Sequence, residues 1–317
     1  MKSGDHGMEL EDTQLVPHLL DASLMFPDRI SPIDSWHRHI PFAFFIMSLM
    51  SPRVFVELGT HRGDSYSAFC QAARRFNLEI RCYAVDTWEG DEHAGYYGDE
   101  VFNEFASFHE AVYAEFSRLL RMRFDQALKI FSNGEIDLLH IDGLHTYEAV
   151  RDDYESWLPK MSDSGVILFH DTNAPEKESF GVGRLFQEVS SGRPHFEFKF
   201  GYGLGVLAVG SRVSELMLEF LEWSAANSEL AHRIFWVQGS DIELGRLSMI
   251  IEHRDRLGQQ LKHARSVVKK RDMQLEALLE HRDKLGQELS HARSVIAERD
   301  AELQATRSSR VTKKLNK

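Results

Sequence analysis

Between residues 51 and 210 the chain alternates short apolar runs with longer stretches whose apolar residues recur every three or four positions. RVFVE (53–57), EIRCYAV (79–85), 117–122, IDLLHI (136–141) and GVILF (165–169) read as strands. The stretches 66–76, 101–115, 125–132, 146–157 and 181–190 read as amphipathic helices. HFEFKF (195–200) and GLGVLAVG (203–210) read as a closing hairpin. Strands that alternate with helices imply a parallel sheet covered on both faces, and the hairpin adds an antiparallel edge. The predicted class is α/β. Residues 11–50 read as helical with breaks at Pro17, Pro27, Pro32 and Pro41. The apolar run Ile40–Met50 is about half the ~20 residues of a membrane span.

Beyond residue 240 the period changes. EHRDRLGQQLKHARSVVKKRD (252–272) recurs as EHRDKLGQELSHARSVIAERD (280–300), an offset of 28 residues, or four heptads. Alternate steps of three and four from Leu247 to Leu303 meet 17 positions, of which 13 are apolar. That seam predicts a coiled coil, dimeric or trimeric, about 85 Å long over 247–303. Arg254, Arg271, Arg282 and Arg299 interrupt the seam. Their expected use is to fix register, paired with Asp255, Asp272, Asp283 and Asp300.

Composition sharpens this division. The last aromatic residue is Trp236 and the last proline Pro194. The formal charge of −12 sums two unlike parts. Residues 1–240 carry 20 basic and 37 acidic side chains, and 241–317 carry 17 and 12. The acidic first part argues against a nucleic-acid binder. The basic end RSSRVTKKLNK (307–317) leaves room for an anionic membrane surface. Cys70 and Cys82 are too few for a disulfide framework, and the acidic N-terminus does not read as a signal peptide. These features predict a cytoplasmic chain, at most peripheral to the inner membrane face.

The polar residues with chemical potential gather at predicted strand ends: Glu57, Asp86, Asp142, His170 and Asp171. Open α/β sheets bind ligands along that edge. The first strand runs into Glu57-Leu-Gly59-Thr60-His-Arg-Gly63-Asp-Ser65, which lacks both the P-loop ending and the GxGxxG spacing. Its glycines would let a ligand approach the backbone. Asp86, ending the next strand, suits a ribose diol, because a carboxylate accepts two hydrogen bonds. Each feature also has a purely structural use, as a turn or a helix cap.

Taken together, VELGTHRGDSYSAF, AVDTWEGDEHAGYYGDEVF, LLHIDGLHTYEAVRDDYESWLPKMSDSGVILFHDT and GYGLGVLAVG resemble class I S-adenosylmethionine-dependent methyltransferases over about residues 35–210. The likeness is to the branch of macrocin-type and polysaccharide-associated sugar O-methyltransferases. It implies a Rossmann-like seven-stranded sheet with S-adenosylmethionine at the ends of the first two strands. By that similarity Glu57, Gly59, Thr60, Gly63 and Ser65 would line the methionine part. Asp86 would bind the ribose, with Thr87 and Trp88 near the adenine. The family often has a small polar residue after the third strand; Arg123-Phe124-Asp125 stands there, which makes Asp125 the candidate.

Asp142, His170 and Asp171 form a second constellation, with His145 three residues past Asp142. Two carboxylates and an imidazole at adjacent strand ends suit one divalent ion, magnesium being expected. Such an ion would lower the pKa of an acceptor hydroxyl, and His145 would take the proton. Metal-dependent relatives carry a comparable acid, acid pair and base, with an acid more common where His170 stands. The metal-free alternative is a His170–Asp171 dyad with Asp142 as a helix cap. The aromatic, acidic loop 88–100 reads as a substrate platform or a lid.

The expected organisation is therefore an N-terminal helical segment (1–50), a methyltransferase domain (51–240), a coiled coil (241–306) and a basic tail (307–317). The expected activity is metal-assisted O-methylation of a sugar hydroxyl on a glycan or glycosylated metabolite. The coiled coil would oligomerise the enzyme or place it at membrane-associated glycan assembly machinery. The alternatives are a coiled-coil scaffold whose globular part only binds a nucleoside, and a phosphate-methylating relative on the same fold.

Overall fold

The computed structural model describes residues 9–315 except Glu176 and Glu178, and does not describe the side chains of Asp12 and of residues 305–315. The chain divides into two compact units, Met1–Leu247 and Ser248–Lys317.

The first unit is built on seven strands: β1 (Val54–Leu58), β2 (Arg81–Asp86), β3 (Ser117–Arg121), β4 (Ile136–Ile141), β5 (Met161–His170), β6 (His195–Phe198) and β7 (Leu204–Ala208). Their order is β3-β2-β1-β4-β5-β7-β6. The first five are parallel, and β7 runs antiparallel between β5 and β6. The order reverses beside β1, so the ends of β1 and β4 flank the crevice where such sheets bind ligands. The Rossmann-like seven-stranded sheet is thus present.

The helices of this unit are α1 (Val16–Ser23), α2 (Ile40–Met50), α3 (Asp64–Arg75), α4 (Asp99–Val112), α5 (Phe124–Ala127), α6 (Tyr147–Trp157), α7 (Val182–Ser190), α8 (Glu215–Ala226) and the opening turns of α9 (Ser228–Leu315). Each strand turns alternate residues to opposite cores. In β1, Phe55 faces a core shared with α2, α3, α4 and α8. Val54, Val56 and Leu58 face the core built with α6 and α7. The N-terminal segment belongs to the first of these cores, and nearly every residue of α2 is buried. An all-round apolar helix needs neighbours on every side, and here α1, α3, α8 and α9 supply them through contacts such as Phe42–Phe220 and Phe45–Phe235.

Helix α8 is not legible in the sequence as a separate element between the hairpin and the tail. Ser214 caps it by accepting from Met217 N at 3.3 Å. The expected helix over 125–132 shortens to α5 and a 3-10 turn, Leu128–Ile130. The opening of α9 packs on the domain through Ala231, Phe235 and Ile242. Arg38 lies 3.9 Å over the Trp236 ring and pairs with Glu243 at 2.7 Å.

In the second unit the helix continues through both repeats, and the described side chains from Ser248 to Gln304 are exposed. Arg254 and Arg282 bond their own neighbours, Asp255 and Asp283, at 2.8 and 2.7 Å. The basic stretch 307–317 lies within or beyond the undescribed side chains. Among the described residues no helix is long and apolar enough to cross a membrane.

Candidate active site

Two cavities meet at the carboxyl edge of the sheet, sharing Gly59, His61, Asp142 and His145. The larger, about 530 Å³, runs from Gly59 and Asp86 toward Phe124, Asp125, Leu128 and α6. The smaller, about 340 Å³, runs from the 59–65 loop past Trp36, His93 and Tyr202 to His170 and Asp171.

The loop after β1 exists because the ends of β1 and β4 touch. Asp142 N donates to Leu58 O at 2.8 Å, and Gly59 adopts φ +85°. A Cβ on Gly59 would lie 2.0 Å from the Asp142 carbonyl oxygen, so no other residue fits. Asp86 shapes the same loop. Its Oδ2 accepts from Thr60 N and His61 N at 2.8 and 2.9 Å, and its Oδ1 from Trp88 N at 2.7 Å. A carboxylate has about four acceptor positions, so one remains for a ligand hydroxyl.

Several expected cofactor contacts lie elsewhere. Glu57 faces the same core as Phe55 and is fully buried. Its Oε2 pairs with His140 Nδ1 at 2.9 Å, across the register that sets these residues side by side on β1 and β4. Burial pushes the Glu57 carboxyl up from its ordinary pKa. Trp88 is also fully buried, donating from Nε1 to His61 O at 2.8 Å, so it supports the loop from beneath. Asp125 lines the larger cavity but is largely exposed and bonded to Arg123 at 3.0 Å. Gly59, Thr60, Gly63 and Ser65 line the smaller cavity, and Gly59, Asp86 and Thr87 the larger.

The second constellation comes together. Asp142, His170 and Asp171 each offer one ligand atom, all within 4.8 Å of one another. His170 Nδ1 stands 3.2 Å from Asp142 Oδ1 and 3.2 Å from Asp171 Oδ2. His170 Nε2 donates to Gly201 O at 3.2 Å. That bond orients the ring and leaves Nδ1 aimed at the carboxylates, as the outer hydrogen bond of a ligating histidine does. His145 Nε2 lies 2.7 Å from Asp171 Oδ2 and 3.6 Å from Asp142 Oδ1. The His145 ring is stacked on Phe180 (4.3 Å, 9°) and on His93 (5.5 Å, 26°).

The electrostatics follow from two close carboxylates. Burial opposes ionisation of Asp142, but the charge and hydrogen bonds of His170 and His145 outweigh it and hold the carboxyl well below its usual range. Asp171, buried too, is drawn down by the same histidines to about 2. In return the carboxylates overcome burial and push His145 up to about 9 and His170 well above its ordinary value. This corner of the site demands positive charge, from protonated imidazoles or from a cation. His39 is the contrast: burial first, then the charge of His170, lowers it to about 3. It stays neutral, sharing the Gly201 carbonyl at 3.0 Å.

Sequence reasoning singles out the 88–100 loop but not His93 as its contact with His145. It passes over Phe180, Gly201 and Asp153. Phe180 lies in a segment without a motif, and Gly201 opens the GYGLGVLAVG segment, where nothing marks its carbonyl as a partner of two histidines. Asp153 carries a usable signal: an acid beside the Val150–Tyr154–Trp157 stripe of α6.

Residues 56–172 match a methyltransferase domain family. An uncharacterised protein, y4gI of Sinorhizobium fredii (strain NBRC 101917 / NGR234), is 44% identical over 198 residues. These cover 62% of this chain and 22% of that protein, so the chain spans about a fifth of the length of this relative. Among solved structures, the O-methyltransferase TomG from Streptomyces achromogenes, in complex with SAM, is similar at 15% identity. That likeness covers 64% of this chain and 100% of that one, with a TM-score of 0.42. The SAH-bound methyltransferase PaMTH1 from Podospora anserina is similar at 16% identity, over 65% and 90% of the two chains, with a TM-score of 0.41. The region that matches the methyltransferase domain family runs from within β1 to just past the end of β5, the part of the sheet whose edge carries Gly59, Asp86, Asp142, His170 and Asp171.

Proposed function

We propose that the chain is an O-methyltransferase that uses S-adenosylmethionine and a divalent cation to methylate a sugar hydroxyl, on a polysaccharide or a glycosylated metabolite. The observation that carries this reading is the convergence of Asp142, His170 and Asp171 beside His145, where the two cavities meet. The donor set fits a magnesium-like ion, since two carboxylates dominate it and water can complete the shell. When bound, such a cation supplies Lewis acidity that lowers the pKa of an acceptor hydroxyl.

The chain's own residues do the rest. Asp86 holds the ribose, and the 59–65 loop, lining the smaller cavity, holds the methionine part. At about 9 the imidazole of His145 is protonated near neutrality; a cation held by Asp142 and Asp171 would offset the carboxylates that raise it, and the ring, kept in plane by Phe180 and His93, would then receive the acceptor proton. The acceptor oxygen attacks the sulfonium methyl in line, the C–S bond breaks, and S-adenosylhomocysteine leaves with the bond's electron pair. Trp36, His93 and Tyr202 give the smaller cavity both aromatic faces and hydrogen-bonding groups, which suits a polyhydroxylated acceptor. The exposed heptad seam of 247–303, with Leu257, Leu261, Leu275 and Leu285 each more than half exposed, favours pairing with a second copy.

The test is transfer of labelled methyl from S-adenosylmethionine to cell-surface glycan precursors, with Mg²⁺ or with EDTA. Label in the glycan that disappears with EDTA supports the reading. Undiminished transfer under chelation removes the cation from it, and label in a phosphate ester instead of a glycan replaces the acceptor class.

A further inference from the structure

The larger cavity holds a carboxyl that the proposed chemistry does not use. Asp153, on the second turn of α6, lines this cavity, and its carboxyl has no hydrogen-bond or ion-pair partner among the described residues. Gly143 lies beside it: a Cβ there would lie 2.5 Å from the Phe124 ring, for which the glycine makes room, and at ordinary contact distance, 3.5 Å, from Asp153 Oδ2. Phe124, Leu128, Leu144 and Ala149 form an apolar wall beside it. One cavity is thus lined by Asp86, with one acceptor position left for a ligand hydroxyl, by an apolar wall and by a carboxyl without a partner among the described residues. A nucleoside has chemistry to match each: ribose, flat ring, polar edge.

Resting on the reading of the site as an S-adenosylmethionine site, we propose that Asp153 recognises the adenine edge, its carboxyl donating to a ring nitrogen and accepting from the exocyclic amine. A protonated carboxyl carries one O–H donor and a carbonyl acceptor side by side, which complements the acceptor–donor edge of adenine. The surroundings favour that form. Burial first, then the charge of Asp152, pushes Asp153 up to about 7. Other titratable and charged groups lining this cavity are Arg123, just before α5, and Asp125 within it, paired with each other, Asp142 and His145 after β4, Asp86 and Asp91 on the loop side, and Asp152 of α6. Asp125, the residue expected at the adenine from sequence, is engaged and largely exposed; Asp153 is unengaged and deeper.

The experiment is calorimetric binding of S-adenosylhomocysteine to the full chain and to Asp153→Asn and Asp153→Ala, with circular dichroism to verify the fold. An amide also donates and accepts along one edge, so Asp153→Asn should bind within about threefold of the parent, and Asp153→Ala at least about tenfold more weakly. Raising the pH from about 6 to about 8.5 should weaken binding to the parent but not to Asp153→Asn. Equal affinity of Asp153→Ala and the parent would overturn the assignment. So would an Asp153→Asn variant that folds but binds as poorly as Asp153→Ala. If the parent itself shows no saturable binding, the cofactor reading fails and this assignment falls with it, an outcome distinct from the other two.

Discussion

The two units of this chain treat their apolar side chains in opposite ways. In the first, Phe42, Phe45, Phe55 and Trp157 are fully buried between the sheet and its helices. In the second, Leu257, Leu275 and Leu285 sit on the seam of alternating three- and four-residue steps and are 51–57% exposed. A single copy satisfies the hydrophobic effect in the domain but leaves an apolar stripe, interrupted by four arginines, uncovered in the tail. The first unit is therefore defined by its own contacts, and for the second it is the proposed pairing with a second copy that would cover the stripe. Chemistry should belong wholly to the first unit and assembly to the second.

The strongest way to break that division is to remove the chemistry and look for any change in assembly. Asp142→Ala or His145→Ala should lower methyl transfer by about 10³-fold or more. Binding of S-adenosylhomocysteine should stay measurable and the mass in solution unchanged. A fall in mass by light scattering in either variant would mean that the site and the assembly are not separable.

Next in size are matched apolar truncations. Phe45 packs on Phe220 and Phe235 at 5.0 and 5.4 Å, so Phe45→Ala should destabilise the first unit by about 3–4 kcal/mol in urea titrations. Leu275→Ala removes a similar group from an exposed seam position. It should leave the unfolding midpoint of the domain unchanged and instead shift the oligomer equilibrium toward smaller species. A domain midpoint that fell with Leu275→Ala would show that the tail is part of the folding unit. Light scattering on residues 1–247 provides the companion measurement, since an unchanged oligomer there would sink the role given to the seam.

The same contrast explains what is legible in the sequence. The strands are readable because buried parallel strands are short apolar runs, and the tail because its period persists through two repeats. The Asp142–His170–Asp171–His145 cluster is readable because β4 and β5 are neighbours and each ends in chemistry-bearing residues. What fails is depth and partnership. Nothing in VELG says that Glu57 turns inward to His140; that follows from β4 lying beside β1 with His140 in register. Trp88 reads as a cofactor-facing aromatic, yet its backbone adopts φ +53° and the ring is buried under the loop. Helix α8 escapes notice because its apolar residues are spread around it, two helices and a strand packing on it.

The smallest expected effect concerns a charge inside the self-sufficient unit. Asp153 has a folded pKa of about 7 against an ordinary 3.8. A raised acid favours the protonated folded state. Its stabilising contribution is complete below about pH 4, shrinks as pH rises toward about 7, and is constant above that. An amide at this position has no such dependence. Thermal melts of Asp153→Asn and parent should therefore diverge in the variant's favour between about pH 4 and 7 and run parallel from about 7 to 9. One pKa unit corresponds to about 1.4 kcal/mol, and local relaxation reduces the total, so the full difference should be about 2 kcal/mol. A constant gap across this range would mean that Asp153 ionises freely in the fold. It would then face the cavity as an ordinary carboxylate, able to accept from the adenine amine but unable to donate to the ring. The pH dependence of the melt thus separates full pairing of the adenine edge from half of it, without any ligand present.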